Sequence, residues 1–219
     1  MTSEEGVVKA TIFGGPKSKL RALAAPFHSG KLFIYHDPVK NSRKVSDFDV
    51  KSFRPGIREQ LERSMTASAV ADTILSSQGG GDSGEAALLT ASLVFDFIDK
   101  ADSLNCVYAL IYFFWNWAEI LGAKPDMSFC SSCQKIIPPE DDLWFSQVRS
   151  ALLCENCINS SSIVKLGPGA KKWLNRAELN RLEELSRVRL DNASLNQAKA
   201  FTRAVMAGAL GKSLAAWDW

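Results

Sequence analysis

Histidine is almost absent: the 219 residues hold two, His28 and His36. His28 precedes Ser29-Gly30 and His36 precedes Asp37-Pro38. Neither supplies the His-x-Glu that a zinc deaminase needs ahead of its cysteines. Neither stands near a serine or cysteine motif, so a Ser/His or Cys/His nucleophilic centre has little support, and no Gly-x-Ser-x-Gly elbow occurs. A complete phosphate loop is missing too. Gly208-Ala-Leu-Gly211-Lys212-Ser213 would need a glycine at 206, where the residue is Met206, and an amphipathic helix rather than a strand comes before it. The paired carboxylates Glu183-Glu184 and Asp141-Asp142 are neighbours in sequence; on a helix such neighbours diverge, so Glu183-Glu184 suits a solvated face. These absences lead to the expectation of a protein that is not an enzyme. Long apolar runs are also scarce. Residues 104–121 form the most apolar stretch, but Asn105, Asn116 and Glu119 interrupt it, and it is short for a bilayer. A buried core helix is expected there, with no membrane partner. The opening Met1-Thr-Ser-Glu-Glu-Gly6 is polar and acidic, unlike a secretory leader.

Cysteine is sparse but patterned. Four of the five form Cys130-Ser-Ser-Cys133, twenty residues, then Cys154-Glu-Asn-Cys157. That is the spacing of a structural zinc site, in which each short turn brings two sulfurs to one ion and four thiolates close the tetrahedron. Cys130, Cys133, Cys154 and Cys157 are therefore the candidate ligands of a structural Zn2+. Two chance pairs, a pair of disulfides or a redox dithiol are the competing explanations. Cys106 stands alone in the apolar run, where a free cysteine behaves as a small hydrophobe. Zinc thiolates without a leader lead to the expectation of a reducing, cytoplasmic compartment.

The net charge of +2 hides a pattern. By segment it runs +4 over residues 1–52, −5 over 53–129, −2 over 130–160 and +5 over 161–219. Basic ends can neutralise phosphates and an acidic middle repels them; an ordinary mixed surface explains the pattern equally well. The segments also differ in periodicity. Residues 7–13, 19–23, 31–35 and 45–50 have the look of short strands broken at Gly14-Gly15-Pro16, His28-Ser29-Gly30 and Asp37-Pro38. Small curved β-domains with a basic face are a common platform for single-stranded nucleic acid. Lys9, Lys17, Lys19, Arg21, Arg43 and Lys44 are the charge candidates there. Phe13, Phe33 and Tyr35 are candidates to stack bases, although strand aromatics are more often core.

Helical spacing follows. Pro55 marks a helix start, Gly79-Gly80-Gly81 a break, Asp82 with Glu85 a capping box, and Ser103 the cap of the apolar helix. Being apolar nearly all round, that helix is expected at the centre of a bundle. Residues 143–148 and 151–153 suggest a β-hairpin leading to the second cysteine pair. Helices are expected from Gly167-Pro168, over 178–190, and after a capping box of Ser194 with Gln197. Lys165, Lys171, Lys172, Arg176, Arg181, Arg187 and Arg189 line this last part. Within that run, Lys171, Lys172, Arg176 and Arg181 are candidate contacts for phosphate or for an acidic partner, against the plain alternative of helix-surface charge.

The expected fold class is α+β: a small OB-like β-domain (1–52, incomplete as a barrel), then an α-helical bundle (53–129 and 161–219) with a four-cysteine zinc ribbon (130–160) inserted in it. That order of parts resembles the RecO family of bacterial recombination mediators. Gly15-Pro-Lys-Ser-Lys-Leu20, Pro26-Phe-His-Ser-Gly30 and Leu32-Phe-Ile-Tyr35 are similar to the family's β-domain. Ser52-Phe-Arg-Pro-Gly-Ile-Arg-Glu-Gln-Leu-Glu-Arg63 resembles its first helix. Ile120-Leu-Gly-Ala-Lys-Pro-Asp126 resembles the approach to its ribbon. Leu143-Trp-Phe-Ser146 with Leu152-Leu-Cys-Glu-Asn-Cys157 resembles its hairpin and exit. The resemblance implies an N-terminal OB-fold, binding of single- and double-stranded DNA, annealing of complementary strands, and loading of recombinase onto SSB-coated strands. The implied partners are RecR and the C-terminal tail of SSB, at the nucleoid. The strands that open the family's barrel have no counterpart here, so an incomplete barrel or an upstream coding start is expected. A zinc-ribbon interaction module that touches no nucleic acid is the alternative function, and a zinc enzyme with an open metal position a more distant one.

Overall fold

The computed structural model describes residues 1–15, 18–81, 83–159, 163–178 and 181–217. The chain opens with a three-stranded sheet in the order β1-β3-β2, made of β1 (Thr11–Ile12), β2 (Ser29–Asp37) and β3 (Ser42–Ser52). β2 and β3 pair antiparallel and β1 joins β3 in parallel. The hairpin turns where Asp37 Oδ1 accepts from the amides of Val39 and Lys40, a side-chain mimic of a backbone turn. Its ladder slips one residue between Phe33 and Ile34, leaving Ser46 as the extra residue; the Ser46 hydroxyl donates to the Phe33 carbonyl at 3.1 Å.

Two strand expectations fail here. Residues 19–23 form a helix, α1 (Lys19–Leu23), not a strand. Their alternation spans only five residues, and Lys-Leu-Arg-Ala-Leu contains good helix formers and no β-branched residue. Of residues 7–13 only Thr11 and Ile12 pair. Among the described residues the sheet is open, with three strands and no closed barrel.

A 3-10 turn (Pro55–Arg58) leads into the bundle of α2 (Leu61–Ser76), α3 (Gly84–Ile98) and α4 (Ser103–Ile120). In α4 ten of eighteen residues are buried, spread over most of the helix surface, and a narrow stripe of Asn105, Tyr112, Asn116 and Glu119 is partly open, so the helix is central. It packs against α2 and α3, and against α5 (Pro168–Ala177) and α7 (Asn192–Leu210) from the far end of the chain. Trp115, Trp117, Trp173 and Trp217 are all buried in this core. Two of them bring a polar handle with a partner: Trp117 Nε1 donates to Ser77 Oγ and Trp217 Nε1 to Thr73 Oγ1, each at 2.9 Å.

The helix ends correct three further expectations. Asp102, not Ser103, caps α4, its carboxylate accepting from Asn105 N at 2.7 Å. Asp191, not Ser194, caps α7, accepting from Ser194 N at 2.9 Å. Gln197 makes no capping box; its Oε1 accepts from Gly167 N instead and ties α7 to the start of α5. In both helices an aspartate stands one or more residues ahead of the serine, and its carboxylate caps the first turn in the serine's place. Of the expected helix over 178–190, residues 179–180 lie outside the described residues, and the rest forms one short helical turn, α6 (Leu182–Leu185), which buries Leu182 and Leu185. The expected capping role of Asp82 lies outside the described residues. Gly79-Gly80-Gly81 does more than interrupt: all three have positive φ, of 80, 85 and 63°. A side chain on Gly79 would come within 3.1 Å of Val7 N, so the loop lets the N-terminal segment lie against the bundle.

Arg54 joins sheet to bundle. It is 5% exposed and left-handed (φ 46°). Nε donates to Asp96 Oδ1 at 2.7 Å, Nη1 to the Phe27 carbonyl at 2.6 Å and Nη2 to Ser92 Oγ at 2.9 Å. Among the described residues, no helix is long and apolar enough to cross a membrane.

Candidate metal centre and cationic surfaces

Between α4 and α5 the chain leaves the bundle and makes two tight cysteine turns joined by β4 (Leu143–Ser146) and β5 (Ala151–Leu153); β6 (Ile163–Leu166) completes a three-stranded sheet in the order β5-β4-β6. The hairpin is as expected; its third strand is an addition to that expectation. In the first turn Gln134 N donates to the Cys130 carbonyl, and Cys130 N to the Lys135 carbonyl, each at 2.9 Å. Gln134 takes the left-handed backbone that reverses the chain, and Phe129 pairs with Ile136 across it. In the second turn Cys157 N donates to the Cys154 carbonyl at 3.0 Å, closing a 3-10 turn. The two turns are stitched together by Ser131 N donating to the Leu152 carbonyl at 2.8 Å.

This geometry gathers the sulfurs of Cys130, Cys133, Cys154 and Cys157 within 4.8 Å of one another. Cys133 and Cys154 Sγ stand 3.7 Å apart. A disulfide needs about 2.05 Å, whereas a tetrahedron with metal–sulfur bonds of about 2.3 Å has edges of about 3.8 Å. The site therefore fits a cation, and all four cysteines are free thiols. Burial works against ionisation of Cys130, but the amides of Cys133, Cys154 and Ser132 outweigh it and hold the thiol down at about 6. Hydrogen bonds with the thiols of Cys133 and Cys154 push Cys157 up to about 12, and burial raises Cys154. Thiols at such close quarters cannot all ionise unless a cation neutralises them, so binding must release protons. Cys130 and Cys154 are buried and Cys133 is exposed. Cys106 is apart from the group, buried in α4, where burial pushes its thiol up.

The N-terminal candidates do not form one cluster. Lys9, Lys19 and Arg21 are exposed, the last two on α1. Arg43 is paired with Glu5 at 2.6 Å. Lys17 lies outside the described residues. Lys44 sits 5.0 Å over the ring of Phe13. Lys31, absent from the charge candidates above, stands 5.1 Å over Phe33. Lys31, Phe33 and Tyr35 alternate along β2, and Tyr35 pairs with Lys44 across the ladder, so all share one face. Phe13, Phe33 and Tyr35 are 60, 42 and 58% exposed, which reverses the usual expectation that strand aromatics are core. Asp47 and Asp49 oppose Phe33 and Lys31 on the same face, and Lys51 pairs with Asp49.

The C-terminal run is divided by the fold. Lys171 is 3% exposed, and its ammonium donates to the carbonyls of Pro138 and Asp141 at 2.8 and 2.9 Å. It braces the ribbon against α5 and is withdrawn from phosphate; burial lowers its pKa. Lys165 is paired with Asp142. Lys172, Arg176 and Arg181 are exposed. Sequence reasoning misses Arg54 as joint, Lys171 as brace and Lys31 as ring partner, because charge alone does not say which cations a fold buries.

A helical bundle opened by a four-cysteine ribbon whose sulfurs are placed to hold a metal ion, with a small sheet ahead of it, defines an α+β ribbon protein. The family model described as recombination protein O C terminal matches residues 58–218, nearly three-quarters of the chain. The chain belongs to that family, the RecO family of recombination and repair proteins. A comparison with curated proteins gives no match.

Proposed function

We propose that this chain is a recombination mediator that works without catalysis of its own. It binds single- and double-stranded DNA, anneals complementary strands, and helps load recombinase onto SSB-coated strands together with RecR and the SSB tail. It acts at the nucleoid, and its four thiolates hold a structural Zn2+. Family membership supports the recombination role. The observation that carries DNA contact is the outward face of the sheet, where three exposed aromatic rings alternate with Lys31 and Lys44. Base–aromatic stacking tolerates any sequence, and lysines between the rings meet the backbone. For zinc, the closed four-sulfur donor set supports a role in architecture rather than chemistry.

Titration of a labelled single-stranded oligonucleotide by fluorescence anisotropy, repeated over a range of salt, tests the DNA reading. Affinity should fall steeply as salt rises, and Phe33→Ala with Tyr35→Ala should weaken it. Absence of binding even in dilute buffer favours the alternative, an interaction module that leaves nucleic acid alone. Elemental analysis of reduced, folded protein should find one zinc per chain; a metal-free folded protein sinks the ribbon assignment.

A further inference from the structure

The N-terminal sheet ends in two outer edges. One is β1, which pairs over Thr11 and Ile12 alone, and a strand that short offers little to a second chain. The other is β2, nine residues long, with no strand beyond it among the described residues. Gly30, Lys31, Leu32, Phe33, Tyr35 and His36 are exposed along it, on both faces of the sheet. Leu32 is 37% exposed, beside the open rings of Phe33 and Tyr35. Both irregularities of the β2–β3 ladder insert their extra residue in β3, at Ser46 and Lys51, so β2 itself runs without an insertion. An edge strand turns alternate N–H and C=O groups outward, and a long, regular, apolar one is a template for another strand.

The sequence of β2 selects the partner. Two copies of one edge can pair antiparallel about a dyad, and each residue then meets one from the same face. With Ile34 facing Ile34 of a second copy, Lys31 meets Asp37, Phe33 meets Tyr35 and Leu32 meets His36, each pair occurring twice. Opposite charges and paired rings are the cross-strand contacts that stabilise a sheet. Moving the dyad to Phe33 or Tyr35 keeps the faces but sets Lys31 against Tyr35 or Val39, and both ion pairs are lost. Within its own chain Lys31 stands opposite Asp49, whose carboxylate Lys51 holds at 2.7 Å. Asp37 Oδ1 serves the turn amides of Val39 and Lys40, and a carboxylate so engaged still accepts from a lysine at its other oxygen. We propose that β2 is a dimerisation edge: a second copy of this chain pairs with it antiparallel about Ile34 and joins two three-stranded sheets into one. A strand pair from residue 31 to residue 37 buries less than a standard interface, so the dimer is weak and reversible. Residues of one face meet their own kind, so Phe13, Phe33 and Tyr35 of both copies lie on one side of the joined sheet. The dimer stands independently of the nucleic-acid reading above and, where that reading holds, doubles its platform.

The test is sedimentation equilibrium of the reduced full chain, free of nucleic acid, from micromolar to near-millimolar concentration, with amide exchange measured at both extremes. The average mass should rise from one chain toward two, and exchange over residues 31–37 should slow with concentration while α4 stays unchanged. Lys31→Glu puts two like-charge pairs into the interface and should weaken the dimer about tenfold, whereas Lys31→Arg should keep it. Tyr35→Glu stands opposite Lys44 in its own hairpin, which preserves the fold, and should weaken the dimer as well. Unchanged melting checks each variant. Lys31→Glu and Asp37→Lys chains should each associate better with the other than with themselves, because the mixed pair has opposite charges on both sides. A chain that stays monomeric throughout leaves the edge to a strand of another partner; the proposal then falls and the mediator function stands. A dimer of full strength in both Lys31→Glu and Tyr35→Glu, without protection of residues 31–37, places the interface elsewhere and also overturns it.

Discussion

The bundle and its ribbon bury most of their aromatic rings, and four tryptophans lie within their core. In the N-terminal sheet Val45 is the one large apolar side chain buried among the described residues, while Phe13, Phe33 and Tyr35 face solvent. Both regions are rich in aromatics, yet one uses them to exclude water and the other presents them to it. The difference lies in what stands opposite. Around α4, helices from both halves of the chain, α2, α3, α5 and α7, cover most of its surface. Against the sheet lies the short α1, packed on β3, and on the face with Lys31 and Lys44 the rings of Phe13, Phe33 and Tyr35 remain exposed. Stability therefore resides in residues 55–217, and the sheet is a presented surface held on by its links to them.

The largest expected effect comes from removing one sulfur. Cys154→Ser should release the metal and unfold the ribbon, because the free energy of binding a structural zinc, about 10–16 kcal/mol in small zinc modules, is also free energy of folding. Elemental analysis and limited proteolysis between residues 127 and 159 measure it. A ribbon that stays protected without metal would show that packing alone holds it. Next, Trp217→Ala should cost about 3–5 kcal/mol by opening the space among α2, α4 and Phe114, read as a fall in the denaturation midpoint. Arg54→Ala removes hydrogen bonds to Asp96, Ser92 and the Phe27 carbonyl and should cost about 2–3 kcal/mol. Its signature is local: amide exchange should quicken over residues 29–52 and stay slow in α4. Uniform quickening would mean that sheet and bundle are one cooperative unit. The smallest change in stability belongs to Tyr35→Ala, within about 0.5 kcal/mol. That variant should nonetheless weaken single-strand binding by about 1–3 kcal/mol. Loss of stability without loss of affinity would turn the comparison around.

The bundle is readable in the sequence because its signals are redundant. Residues 104–121 are apolar on every side, which only a central helix can satisfy, and the four cysteines carry their own spacing. The third ribbon strand, β6, is not readable, since Ile163-Val-Lys-Leu166 is too short for its period to speak. The sheet is legible in outline, but α1 reads as a strand because five residues fit either period. The caps fall one to three residues from their expected places because aspartate and serine both cap and both are present. The candidate surfaces are the least legible part. Lys171 and Arg43 look like any other basic residue in the sequence, yet one braces the ribbon from inside and the other is engaged by Glu5. Lys31 gains meaning only from its position over Phe33.

The bond from Trp217 to Thr73 spans 144 residues and has a consequence for biogenesis. During synthesis α2 and α4 leave the ribosome long before their last neighbour does. At about 5–20 residues per second, that interval lasts roughly 7–30 s. Throughout it the nascent bundle shows an unsealed oily seam to its surroundings, which makes this interval the protein's period of greatest need for a chaperone.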